Sequence, residues 1–150
     1  MLTMNTIEIT ADNIKYFIRN GVFENGLTVG ISKEKVIQIF GDSPLFEPQK
    51  KKNKAIMGWG ALNIYLYSSI VICFSINSTS NYLDNLNMEA VEKSIILDYL
   101  EDNSISLDDD PLIPLLNELN DDDVNFISVN GITLGFWNDK LFYISQGKFG

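Results

Sequence analysis

The residues whose type and spacing could do chemistry in this chain are carboxylates. The stretch DDDPLIPLLNELNDDD sets Asp108, Asp109 and Asp110 before an apolar segment and Asp121, Asp122 and Asp123 after it, with no lysine or arginine between. Clustered carboxylates can hold a hard cation, divide into a general acid and a base, or meet a basic surface. The first use fails on spacing. Asp121, Asp123 and Asn125 alternate as in a calcium loop, but Phe126 and Ile132 stand where such a loop needs its glycine and its closing acid. The second use needs a deep cleft and two distinct carboxyl environments, of which the sequence gives no sign.

Other chemistry is thin. The chain has no histidine, which removes the usual base at neutral pH and the commonest metal ligand. Arg19 is the only arginine and Cys73 the only cysteine, so bidentate anion clamps, thiolate zinc sites and CxxC redox pairs are not available. Cys73 alternates with Ile72 and Phe74 in an apolar run and reads as a buried thiol. The GWG at 58–60 lacks the lysine, hydroxyl and spacing of a phosphate loop. No catalytic residue, metal site or cofactor is expected.

Charge leaves the third use of the aspartates. Eleven basic against twenty acidic residues give a net charge of -9, with a pI near 4.3. That field repels phosphate backbones and anionic headgroups and favours a basic partner, so neither direct nucleic-acid binding nor a membrane is expected. No basic segment leads an apolar run near the N-terminus, and no run approaches a membrane span. A reducing, cytoplasmic setting fits the lone cysteine.

The elements that must position these residues are legible in part. In ITADNIKYFIRNG, Thr10 reads as an N-cap, Ile14, Phe17 and Ile18 share a face, and Gly21 is a stop. In GISKEKVIQIFGDSP, Ser32 caps, Ile31 and Val36 sit at staple spacing, and Gly41 and Pro44 end the helix. LFEPQKKKNK, residues 45–54, reads as a basic loop and NSTSNYLDN as a polar turn region. NMEAVEKSIILDYLEDN places Met88, Val91, Ile95 and Tyr99 at helical spacing, widened by Ile96 and Leu100. Asp110 before Pro111 predicts the start of a short helix with Leu112, Leu115, Leu116 and Leu119 as its apolar side. Aspartates favour a helix N-terminus, but Asp121, Asp122 and Asp123 follow the helix and meet the wrong end of its dipole.

LNIYLYSSIVICFS from residue 62 and ITLGFWNDKLFYIS from residue 132 echo each other without a gap. Both read as hairpins. A three-residue loop, Tyr67 to Ser69, would set Leu66 against Ile70, Ile64 against Ile72 and Leu62 against Phe74, gathering the aliphatic side chains on one face. Asn130-Gly131 adds a turn upstream, giving strands near 124–129, 132–137 and 141–146. The expected fold is a single α+β domain over 1–150, with an antiparallel sheet of at least five strands, helices on one face, and a tandem helix-hairpin pseudo-repeat dividing into halves 1–77 and 78–150. The second face would carry Asn63, Tyr65, Val71, Cys73, Thr133, Gly135, Leu141 and Tyr143, with Tyr67 and Trp137 in the turns. Tyr65, Tyr67, Trp137 and Tyr143 offer rigid contact area with a polar handle.

Small size, acidity, the thin chemistry and helix-then-hairpin text such as GISKEKVIQIFGDSP followed by WGALNIYLYSSIVICFSI resemble the cytoplasmic immunity proteins of bacterial polymorphic and contact-dependent toxin systems. The tandem arrangement is also similar to that of the beta-lactamase inhibitor protein. The likeness is of style, without a diagnostic motif, and it transfers no site residue. It implies inhibition by occlusion of a toxin domain, and for a nuclease toxin the partner groove would be basic. Candidate partner-binding residues are therefore Asp108, Asp109, Asp110, Asp121, Asp122, Asp123, Tyr65, Tyr67, Trp137 and Tyr143. A carboxylate-dependent hydrolase and a non-inhibitory adaptor are the competing expectations.

Overall fold

Thr10 caps the first helix as its position in the sequence predicts: its hydroxyl accepts the Asn13 amide, and Gly21 closes the helix in the left-handed conformation, φ 72°. The computed structural model describes residues 7–41, 45–48, 53–59, 61–78 and 86–147. In chain order these form β1 (Ile7–Ile9), α1 (Ala11–Asn20), α2 (Lys33–Phe40), β2 (Leu45–Pro48), β3 (Lys54–Trp59), β4 (Leu62–Tyr67), β5 (Ile70–Asn77), β6 (Leu86–Met88), α3 (Lys93–Asp102), α4 (Leu112–Leu119), β7 (Val124–Val129), β8 (Ile132–Trp137) and β9 (Lys140–Gly147).

The fold is α+β. Seven strands make one sheet in the order β2-β3-β4-β5-β9-β8-β7, antiparallel at every junction, and β1 and β6 pair in parallel as a separate ribbon. One face carries Met57, Leu62, Ile64, Leu66, Phe74, Ile76, Ile132, Leu134, Phe136 and Ile144, which form a single core cluster with Ile14, Phe17, Ile18, Val36, Phe40, Ile96 and Leu100 of the helices. Phe17 stacks on Phe23 at 4.0 Å, with the Phe74 ring about 6 Å from each, and fully burying such a side chain is worth about 1.5–3 kcal/mol.

The expected three-residue loops are replaced by two-residue turns. Ser68-Ser69 and Asn138-Asp139 all have positive φ, from 49° to 64°, so Tyr67 pairs with Ile70 and Trp137 with Lys140. Left uncorrected, this register would split the aliphatic face. A bulge restores it: past Tyr65 the partner steps from Cys73 to Val71, and past Gly135 from Tyr143 to Leu141. Ile72 and Phe142 are left unpaired, while Val71 and Leu141 turn into the core rather than onto the second face. Both hairpins carry the same correction.

Each hairpin also docks on a helix start. Lys33 N donates to Ser69 O at 2.8 Å and Val71 N to Ile31 O at 2.9 Å; in the other half Lys93 N donates to Asp139 O at 2.7 Å and Leu141 N to Val91 O at 2.9 Å. This explains why α3 begins only at Lys93. The chain through Met88 and Val91 is extended to reach its hairpin, so the buried stripe is Val91, Ile96 and Leu100, whereas Ile95 is exposed. Another correction falls at Leu45–Pro48, read as loop, which pairs with β3 as an edge strand. Pro44 and most of NSTSNYLDN lie outside the described residues.

Candidate functional site

β7 is the far margin of the sheet, and its outer edge is closed by its own chain. The Asn117 side chain of α4 accepts the Phe126 amide at 2.7 Å and donates to the Phe126 carbonyl at 3.4 Å, while Asp108 N donates to the Ser128 carbonyl at 2.8 Å. An amide side chain thus takes the place of a neighbouring strand. Unpaired edges invite strand addition, and these bonds remove the invitation at Phe126 and Ser128.

The two aspartate triplets stand at opposite ends of this margin, with α4 between them. Asp108 is a latch. Its carboxylate accepts Ser128 Oγ at 2.9 Å, Asn130 N at 3.0 Å and Gly131 N at 2.9 Å, which pins the β7–β8 turn. The Gly131 amide, more than the other two donors, holds the carboxyl below the usual carboxylate range. Asp110 accepts the Leu112 amide at 3.0 Å just ahead of α4, whose cap position is Pro111, one residue later than the sequence predicts. Asp109 is exposed, and Asp108, Asp109 and Asp110 line a cavity of about 420 Å³ together with Pro111, Leu112, Ser128 and Thr133.

At the other end Asp121, Asp122 and Asp123 are all exposed. Asp121 O accepts the Val124 amide and Asp123 O the Asn138 amide, so this turn joins β7 to the β8–β9 turn. Asp123 Oδ2 also accepts the Trp137 indole N–H at 3.2 Å. Trp137 is 50% exposed, and its polar edge has a partner. Two of the residues singled out in the sequence are therefore in direct contact.

The remaining aromatics are dispersed. Tyr67 is Trp137's counterpart in the first hairpin and stands at the opposite end of the strands, 49% exposed. Tyr65 and Tyr143 lie on the face opposite the helices and are half-buried. Burial pushes the Tyr65 hydroxyl upward and the Cys73 thiol beside it up to about 11. Around Tyr143, the Phe126 and Phe142 rings sit at 6.0 and 6.3 Å, and Phe126 lies across Gly135, where a Cβ would come within 2.7 Å of its ring. Phe126, Phe142 and Tyr143 are a packed cluster more than a free surface.

The leucine stripe that the sequence reading gave as the apolar side of α4 is largely exposed. Leu112, Leu115 and Leu119 are 56%, 49% and 74% exposed, whereas Ile113, Leu116 and Asn117 are partly buried and Asn117 bonds to β7. The spacing announced an apolar side but not its direction. The one hint was Asn117, a polar residue on the face that had to pack. Among the described residues no group of three or more carboxylates or thiols is arranged to hold a metal ion, and no helix is long and apolar enough to cross a membrane.

No protein-family model matches the chain, and no curated protein or solved structure matches it.

Proposed function

We propose that this protein is an immunity-type inhibitor that works in the bacterial cytoplasm, binding a toxin domain and covering its active site or substrate groove. The observation that carries the reading is the contact of Asp123 with Trp137, set in a turn with Asp121 and Asp122: a half-exposed indole donates its N–H to one of three exposed carboxylates. Tryptophan is among the residues most enriched at interface hot spots, and carboxylates around it speed the approach of a basic surface and reject an acidic one. A nuclease groove, built to attract phosphates, is the partner chemistry this favours. The protein acts by binding, without turnover. A hydrolase needs carboxyls free to act on a substrate, and Asp108, the aspartate most engaged at the cavity, is tied up by Ser128 Oγ and the Asn130 and Gly131 amides.

The test begins with the genes that flank this one: any flanking gene that ends in a toxin-like domain has that domain co-expressed in bacteria with this chain. The wild-type chain restores growth and co-purifies with the domain, whereas Trp137→Ala restores it poorly. Growth arrest unaltered by the wild-type chain, with no complex recovered, contradicts the proposal.

A further inference from the structure

The leucine stripe of α4 is the largest feature that the Asp123–Trp137 contact leaves unexplained. Leu112, Leu115 and Leu119 recur at i, i+3 and i+7 on the side of α4 that faces away from β7, and Leu112 opens onto the cavity that Asp108, Asp109 and Asp110 line. Asp109 and Asp110 stand at one end of the stripe, Asp121 and Asp122 at the other, and exposed Glu118 along it. From Ser94 to Asp139 the chain carries no lysine or arginine at all.

Four kinds of occupant would cover exposed leucines, and three are disfavoured by what surrounds them. A second copy would bring two acidic strips together, in a chain of net charge -9. A lipid surface with anionic headgroups would meet the same repulsion. An added β-strand would need the outer edge of β7, which Asn117 and Asp108 already occupy. The fourth is a helix whose apolar side lies on the leucines and whose lysines or arginines reach the acids at both ends. We infer that α4 is a docking ridge for a basic amphipathic helix of the partner protein, packed alongside it in helix-against-helix fashion. β7 spans about 20 Å, so such a helix needs about four turns to touch both acid clusters. The inference rests on the inhibitor reading and gives its partner a definite element.

The probe is a synthetic helical peptide with leucines at i, i+3, i+4 and i+7 and lysines elsewhere, titrated into the isotope-labelled chain and followed by amide NMR shifts. Two controls share its length: one with glutamates for lysines, and one with the lysines kept and the leucine pattern scrambled. Shifts should concentrate over residues 107–126, the acidic control should not bind, and the scrambled control should bind at least about tenfold more weakly. Leu115→Ser with Leu119→Ser should weaken the patterned peptide about tenfold or more while leaving the circular dichroism spectrum unchanged, since both side chains are already exposed. Equal binding of patterned and scrambled peptides, shifts centred elsewhere, or self-association abolished by the double serine variant would each overturn the inference. Growth protection separates it from the parent reading: protection kept by the double serine variant but lost in Trp137→Ala refutes the ridge and leaves the inhibitor standing.

Discussion

Ser75 pairs directly with Ser145 where β5 meets β9, and each occupies the same place in its own three-stranded meander. On either side the pairs are mirror-like, Phe74 with Gln146 and Ile76 with Ile144, then Cys73 with Gly147 and Asn77 with Tyr143. A pseudo-two-fold axis therefore passes through the serine pair and relates β3-β4-β5 to β7-β8-β9 at a constant offset of 70, from Ser75 to Ser145. The symmetry breaks at the outer edges. The outer neighbour of β3 is β2, whereas the same position beside β7 is filled by α4 and its two acid clusters.

Gly135 is a second broken equivalence, since its counterpart is Tyr65. A Cβ there would lie 2.7 Å from the Phe126 ring and 3.0 Å from Tyr143 Cβ. Gly135→Ala should lower stability by about 1–3 kcal/mol in urea unfolding, and Phe126→Leu in the same chain should recover part of the loss. Unchanged stability would mean that the Phe126 ring does not rest on the glycine.

Asp108→Asn removes the charge from the turn latch. Because the carboxylate is exposed, solvent screening limits the expected loss to about 1 kcal/mol at neutral pH. The folded value is depressed, so this contribution is fully present above the unfolded value near 3.8 and fades as pH falls through the lower folded one. Denaturation curves of the two proteins should converge in acid. A difference that persists below that range would assign the effect to shape rather than charge.

Cys73 is buried, with its thiol pushed up to about 11. At pH 8 iodoacetamide should leave it unmodified in the native protein and alkylate it in urea. A raised folded value stabilises below the unfolded 9.0 and the benefit is lost as pH rises toward 11, so Cys73→Ala should flatten that part of the alkaline stability profile. Rapid native alkylation at pH 8 would contradict the burial.

The sequence disclosed those parts of the fold that local rules govern. Thr10, Ser32 and Gly21 cap where expected because a cap is decided within a few residues. The echo between residues 62 and 132 gave the paired hairpins. What stayed hidden was decided at a distance or by backbone shape. Ser68-Ser69 does not advertise two left-handed residues as Asn130-Gly131 does, and the bulge at Ile72 leaves no mark in an apolar run. Asp108 looked like surface charge because its donors, Ser128, Asn130 and Gly131, lie twenty or more residues on. The leucines of α4 point outward because Asn117 claims the edge of β7.

The central claim is that the acids at the Trp137 end steer a basic partner. Replacing Asp121, Asp122 and Asp123 by asparagine should change folding stability by no more than about 0.5 kcal/mol, since the carboxylates follow a helix C-terminus and an asparagine oxygen can still accept the indole N–H. The deciding measurement is the stopped-flow association rate with the toxin domain as a function of salt. The triple variant should associate more slowly at low salt and with a flatter salt dependence than the wild type, while Trp137→Ala should chiefly raise the dissociation rate. Identical association rates for wild type and triple variant from low to moderate salt would contradict the claim and leave the cluster a solvated turn.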